Sequence, residues 1–463
     1  MVSSKKQSKS NLMTSRGASL LSDLKLLLKG FFRSNELIRP SLLIAYSGGL
    51  DSTVLLHALC QLQDEVVFHL SVMHVHHGLS DHADEWAAFC EKTCADLAVP
   101  IAVIQVQVDT ESGFGVEAAA RHARYKALCS APADFICLGH HQDDQAETLL
   151  LQLARGAGVK GLAGMAQIDV KRRLFRPFLH TPRADLTAYA EQHQLQWVDD
   201  ESNVDVQFDR NFIRHTIIPT FSKQYAGITK TLARTAAHMA EANGILEDMA
   251  QIDADLALDA MQPFGVLTLA VFNTLSLARQ NNLIRWWLAK NQVSMPSAAL
   301  LQQILAQLKS VKSDVTIKVK VDDDLHVMRY KGLAYLVPEF QKLAEINLLW
   351  QGEEIVILPN QSRLFFTKKI GKGIAFQRGG SDIKLRIKNR EGGERFRPEF
   401  GRPRRSLKYM MQSCEIPPWQ RAQLPLIFMD ETLVIIPSVG IDANMQAANH
   451  EIGLTVSWRP AGS

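Results

Sequence analysis

Apolar runs and amphipathic stretches alternate through the first half of the chain. Leu42–Tyr46 is short and apolar, the pattern of a strand buried on both faces, and Ser52–Leu62 has helical spacing. Val66–Met73 then reads as a strand, Asp81–Leu97 as a helix, Ile101–Val108 as a strand, Val116–Ser130 as a helix and Phe135–Gly139 as a strand. Strands separated by helices of roughly 10–20 residues predict βαβ units, right-handed crossovers and an α/β fold built on a doubly wound parallel sheet. From Ile228 the pattern changes. Ile228–Ala260, Leu275–Asn291 and Pro296–Lys309 are helical stretches, with strand-like alternation at Val315–Val321 and Leu325–Tyr330. Trp286 and Trp287, adjacent on the second of these helices, read as core anchors. The chain is expected to divide into a flexible basic tail (1–25), the α/β domain (26–222), a helical domain (226–336), an irregular linker (337–382) and a small basic α+β domain (383–458).

Composition narrows the classes without choosing among them. At 463 residues, 46% hydrophobic and 21% charged, the chain can bury several cores, and two to four domains are expected. No apolar run approaches the ~20 residues a membrane span needs, so no membrane partner is expected. Met1–Arg16 is rich in Ser and Lys without an apolar core, unlike a secretory signal. Six scattered cysteines, mostly in apolar segments, suit reduced thiols in a cytoplasmic protein. Net charge is only +3, so a nucleic-acid surface requires local segregation of charge.

Two segments carry the chemistry. The first is Ser47-Gly48-Gly49-Leu50-Asp51-Ser52, at the junction between the first strand and its helix. Glycines let a phosphate approach the backbone, and the first-turn N–H groups and the helix dipole favour an anion. The G-K-[ST] ending of a kinase-type loop is missing; an acid, Asp51, sits inside instead, as a metal held against phosphates would require. The second is Gly139-His140-His141-Gln142-Asp143-Asp144-Gln145-Ala146-Glu147-Thr148, after the fourth strand. Asp144 and Glu147, three apart, share a face at a helix start. Acids there also complement the dipole, and the histidine spacing matches no common zinc pattern. In a parallel sheet both segments open onto one crevice beyond the strands' carboxyl ends.

The first loop resembles the pyrophosphate loop of the ATP pyrophosphatases. Together with His140–Thr148, Glu117-Ala118-Ala119-Ala120-Arg121-His122-Ala123-Arg124-Tyr125, Asp200-Glu201-Ser202-Asn203 and Arg210-Asn211-Phe212-Ile213-Arg214, closed by Pro219, it resembles the tRNA(Ile)-lysidine synthases over nearly the whole chain. His76 departs from that pattern, which has asparagine there. The resemblance implies that ATP activates carbon 2 of the wobble cytidine in a tRNA(Ile) with a CAU anticodon. Free L-lysine then displaces AMP, giving lysidine and changing the tRNA's identity from methionine to isoleucine.

The same resemblance implies roles. Ser47, Gly48, Gly49, Leu50, Asp51 and Ser52 would hold the pyrophosphate, with His140 beside the nucleotide. Mg2+ would be held by Asp51 and Asp144. The amine of lysine, with an ordinary pKa of about 10.4, is protonated at neutral pH and not nucleophilic. Asp144 and Glu147 are expected to orient it and accept its proton. Arg121, Arg124, Arg210 and Arg214 are candidates to neutralise phosphates in the transition state or to grip the tRNA backbone. A homodimer is compatible with the sequence.

Between Lys384 and Lys408 stand ten Lys or Arg residues against three acids, with Phe396, Phe400, Tyr409 and Trp419 interleaved or close by. That suits phosphate contacts with RNA. Gly392–Pro398 and Ile416–Arg421 resemble the family's small carboxyl-terminal domain. Two other enzyme readings fit less well. A tRNA thiolase needs paired Cys-x-x-Cys motifs, and Cys90 and Cys94 are one residue too far apart. Amide-forming synthetases need an amidotransferase domain with a nucleophilic cysteine, often amino-terminal, and the chain starts Met1-Val2. A non-enzymatic RNA-binding or nucleotide-sensing protein is the remaining alternative, and intact Asp51, Asp144 and Glu147 weigh against it.

Overall fold

The computed structural model describes residues 19–78, 80–109, 116–199, 201, 205–259, 264–309, 317–339, 345–375 and 384–460. They belong to two compact units, Met1–Ile245 and Leu246–Ser463.

The first unit begins with a helix, α1, over 19–34. Leu20, Leu24, Leu28 and Phe31 recur on one face and are buried; the Phe31 ring stacks 4.4 Å from Phe175 and meets Phe135 edge-on at 4.8 Å. The expected flexible tail therefore ends earlier: residues 19–25 are helical because this stripe needs the core, and residues 1–18 lie outside the described residues. Then follow β1 (Ser41–Ala45), α2 (Leu50–Leu62), β2 (His69–His76), α3 (Ala83–Asp96), β3 (Ile101–Gln105), α4 (Val116–Ser130), β4 (Phe135–Cys137), α5 (Gln142–Ala154), α6 (Val159–Leu162), β5 (Ile168–Asp169), β6 (Leu174–Phe175) and α7 (Arg183–Gln192). The sheet order is β3-β2-β1-β4-β6-β5. All neighbours pair parallel except β5, which runs antiparallel at the edge. The chain winds outward from β1 to β3, then returns to place β4 on the other side of β1. The switch point lies between β1 and β4, where a doubly wound sheet opens a crevice.

Beyond the sheet come α8 (Asp209–Phe212), a π-helical turn (Ile213–Ile217) and α9 (Ile218–Gln224). The long helix α10 (Ile228–Ala257) contains the boundary between the units.

The second unit continues with β7 (Leu258–Asp259), β8 (Val266–Thr268), α11 (Leu269–Phe272), α12 (Leu277–Lys290), α13 (Ala298–Lys309), β9 (Ile317–Asp322), β10 (Leu325–Tyr330) and β11 (Leu333–Pro338). The stretch expected to be mainly helical thus also holds a five-stranded antiparallel sheet, β7-β8-β11-β10-β9. Trp287 is buried and its indole N–H donates to the Phe264 carbonyl at 2.8 Å, as a core anchor requires.

The expected linker is corrected outright. Residues 337–382 contain β12 (Asn347–Leu349), β13 (Ile355–Ile357), β14 (Arg363–Ile370) and β15 (Ile374–Ala375). The carboxyl-terminal stretch follows with β16 (Leu385–Lys388), β17 (Arg395–Phe396), β18 (Arg405–Ser406), α14 (Leu407–Ser413), α15 (Pro418–Arg421), β19 (Leu426–Met429), β20 (Thr432–Ile436), β21 (Gly440–Ile441) and β22 (Ile452–Arg459), of which β16 and β22 pair with strands of residues 345–375. β12 lies on β16, and β14 pairs with β22 along its full length. Their core includes Leu358, Leu364 and Phe366 together with Ile387, Phe396 and Leu454. β12, β13 and β15, of two or three residues each, carry too little alternation to be read before their partners are known. No helix among the described residues is long and apolar enough to cross a membrane.

Candidate active site

The loop after β1 is shaped for a group that lies against its backbone. Gly48 has φ +82°, in the left-handed region, and a Cβ there would stand 3.1 Å from the Cys90 Sγ. Gly49 caps α2 and has no side chain to satisfy the first-turn N–H groups. The hydroxyls of Ser47 and Ser52 lie 3.1 Å apart, and Ser52 Oγ donates to the Gly49 carbonyl at 3.0 Å. Ser47, Gly48, Gly49, Leu50, Asp51 and Ser52 therefore form one turn at the start of α2, an end of a helix that favours an anion.

The second segment meets this turn directly. A Cβ on Gly139 would stand 3.1 Å from the Asp51 carbonyl carbon and from the Ser52 nitrogen. The end of β4 thus passes so close to the start of α2 that any Cβ there would press on the α2 backbone and one of the two segments would have to shift. His141, 1% exposed, bridges the segments: its Nε2 is 3.5 Å from Asp51 Oδ2 and 3.5 Å from Asp144 Oδ2. The Gly139→Ala variant is expected to push the loops apart and cost about 1–3 kcal/mol of stability, as overpacking does, while raising the KM for ATP. Wild-type thermal unfolding and an unchanged KM would show that the contact is dispensable.

Within α5, Asp144 and Glu147 lie one turn apart on a buried face. Arg210 on α8 and Arg214 in the π-helical turn, four apart, reach both. Arg210 donates from Nε to Glu147 Oε2 at 2.7 Å and from Nη2 to Asp144 Oδ1 at 2.9 Å. Arg214 donates from Nε to Glu147 Oε1 at 2.6 Å and from Nη2 to Glu147 Oε2 at 3.0 Å and Asp144 Oδ1 at 3.3 Å. Two carboxylates and two guanidiniums neutralise one another, which is what makes their burial tolerable.

Burial would raise the Asp144 carboxyl, but His141, Arg210, His140 and the His141 backbone N–H, donating at 2.9 Å, hold it below the usual range. His141 feels the reverse. Burial lowers its pKa, and contact with Asp51 plus the charges of Asp144 and Asp143 raise it above the ordinary value. At His140 the charge of Asp144 offsets only part of the effect of burial; burial, with Arg176, Arg210 and Arg121, pushes it down to about 3, so it is neutral at physiological pH.

Asp51, Asp144, Glu147 and Arg210 thus lie together, as does Arg214. His140 flanks them, and its Nδ1 is buried without a hydrogen bond. Arg121 stands apart. It is exposed on α4, 5.3 Å over the Tyr125 ring, and pairs with neither carboxylate among the described residues, although its charge is felt at His140. Asp200, Ser202 and Asn203 lie outside the described residues. One contributor was not anticipated. Arg183 lies 3.8 Å from Asp51 Oδ1, and its backbone N–H donates to Asp143 at 2.9 Å. It opens α7 after the two-residue strand β6, a strand with no periodic signal.

Comparison with known families matches a PP-loop domain over residues 23–221, the TilS substrate binding domain over 267–335 and the TilS substrate C-terminal domain over 385–458. The chain is 39% identical to a tRNA(Ile)-lysidine synthase of Nitrosomonas europaea over 92% of its own length and 93% of that protein's. It is 37% identical to one from Azoarcus sp. strain BH72, over 90% and 92%, and 36% identical to one from Aromatoleum aromaticum, over 91% and 98%.

Proposed function

Because the chain belongs to the tRNA(Ile)-lysidine synthase family, a family of ligase-type enzymes, we propose that it joins free L-lysine to carbon 2 of the wobble cytidine of tRNA(Ile) with the CAU anticodon. The observation that carries this reading is the meeting of the two loops at the switch point, with Asp51, His141 and Asp144 in one line of contacts.

In the first step the cytosine O2 attacks the α-phosphorus of ATP. An O–P bond forms, the bond to the β-phosphate oxygen breaks and pyrophosphate leaves. The α2 turn holds the phosphates through Ser47, Ser52 and the unpaired N–H groups. In the second step the amine of lysine attacks carbon 2, the bond to the AMP oxygen breaks and the amine proton passes to a carboxylate. Asp144 and Glu147 suit that role by position, but both are already occupied by guanidiniums. We therefore assign an exchange of partners: Arg210 and Arg214 turn to phosphate, and the carboxylates they release hold the amine. Arg121 and His140 are assigned to the nucleotide side.

Magnesium fits at Asp51, whose Oδ1 is buried without a hydrogen bond. The oxygens of Asp144 are engaged by Arg210, Arg214 and the His141 N–H, so Asp144 joins only once those partners move. Bound there, the ion would neutralise charge on the phosphates.

For the RNA, exposed Arg395, Arg402, Arg404 and Arg405 are the candidates in the carboxyl-terminal stretch, with Tyr409 under Arg405 at 4.5 Å. Phe396 and Trp419 are core residues instead. Incubation with a tRNA(Ile) transcript, ATP and radiolabelled lysine is expected to label the RNA only when ATP is present. RNA left unlabelled by the complete mixture would refute the assignment.

A further inference from the structure

We infer that the open face of the β13-β14-β22 sheet is a second RNA-contacting surface, taking phosphates and an unstacked base of the tRNA substrate. The inference rests on the proposed tRNA activity and adds a surface outside the basic segment. Alternation along the strands puts Ile355 and Ile357 of β13, Arg363, Phe365, Thr367 and Lys369 of β14, and Thr455, Ser457 and Arg459 of β22 on one face. The opposite face, with Leu364, Phe366, Leu454 and Trp458, is buried in the core.

Three features single out the open face. Arg363 and Arg459 are direct cross-strand partners, an arrangement that is destabilising for like charges. Neither they nor Lys369 forms an ion pair among the described residues, and no carboxylate stands on this face within the three strands. The Arg459 guanidinium lies 5.0 Å over the Phe365 ring, which presents a flat cationic platform. Finally, Ile355 and Ile357, 53% and 59% exposed, continue the face across an edge strand. Cations without counter-ions, a stacked aromatic–guanidinium pair and hydroxyls are the chemistry that binds a sugar–phosphate backbone and stacks a base. An acidic protein would satisfy the charges but leaves the platform unexplained.

The test uses the full chain and a tRNA(Ile) transcript. The R363Q/R459Q double variant should bind the transcript about tenfold more weakly near 0.15 M salt, with the slope of log K against log salt reduced by roughly two. Both side chains are exposed and the change relieves a like-charge pair, so thermal unfolding should not fall below the wild-type value. The R363K/R459K pair should retain the salt slope, and F365A should weaken binding without changing that slope. Unchanged affinity and slope in the glutamine pair would overturn the inference, and so would a loss in the lysine pair as large as in the glutamine pair. Wild-type protein that binds no transcript would instead overturn the tRNA assignment itself. Wild-type binding with an unaffected double variant would leave that assignment standing and remove only this face.

Discussion

Glu147→Gln is expected to reduce lysine transfer by on the order of 10²–10⁴-fold at saturating lysine, the range associated with a lost proton acceptor. Release of pyrophosphate in the presence of tRNA and ATP alone should fall far less. The asymmetry follows from where Glu147 sits. It is 1% exposed and touches guanidiniums through both oxygens, at 2.6–3.0 Å. The substitution keeps the shape but removes the charge, leaving Arg210 and Arg214 to share the single carboxylate of Asp144. Those arginines would then be freer to meet phosphates, while the amine of lysine loses an acceptor. Pyrophosphate release and label transfer, measured on the same preparation, separate the two steps. Transfer at the wild-type rate would remove Glu147 from the chemistry, and equal loss of both steps would make it a structural anchor for the arginine pair.

The residues differ in how far the sequence exposes them, and the reason is physical. The turn at Ser47–Ser52 and the run His140–Glu147 are contiguous, so each could be read before any partner was known. The order of strands and helices through β4 was legible because these elements are long enough for their periodicity to register. The α1 helix was hidden because its stripe of leucines adjoins a polar tail. The strands of residues 345–375 were hidden because their partners lie far along the chain, up to 96 positions later, as in Arg363 with Arg459. Arg210 and Arg214 were visible as candidates, but nothing local shows that they grip Asp144 and Glu147 across more than sixty positions. Cys90 and Cys94, the closest the chain comes to the Cys-x-x-Cys pair of a thiolase, are buried with thiol pKa values pushed up to about 12 and about 11. Burial of that kind makes an inert thiol, and Cys90 instead packs against the loop at Gly48.

Asp51→Asn is expected to lower pyrophosphate release by on the order of 10²–10³-fold, since preorganised charge at the reacting phosphates is worth several kcal/mol in such sites. It should also raise the magnesium concentration needed for half-maximal activity. Asp51 places one carboxylate oxygen against His141 and leaves the other buried without a hydrogen bond. A neutral amide keeps the first contact but cannot take a cation on the second. A readout independent of turnover comes from His141. Burial lowers its pKa, and Asp51 is a leading cause of its net rise. The variant's His141 should therefore titrate lower, as followed by NMR of the imidazole. The sign carries into stability. A histidine with a raised folded-state pKa stabilises the fold below its unfolded pKa and loses that contribution as pH rises through the folded value. In Asp51→Asn the acid-side gain should shrink, narrowing the difference in unfolding temperature between acidic and neutral pH. A variant with wild-type pyrophosphate release would strip Asp51 of its part at the phosphates. An unshifted His141 would break the link between the two loops on which the shared crevice depends.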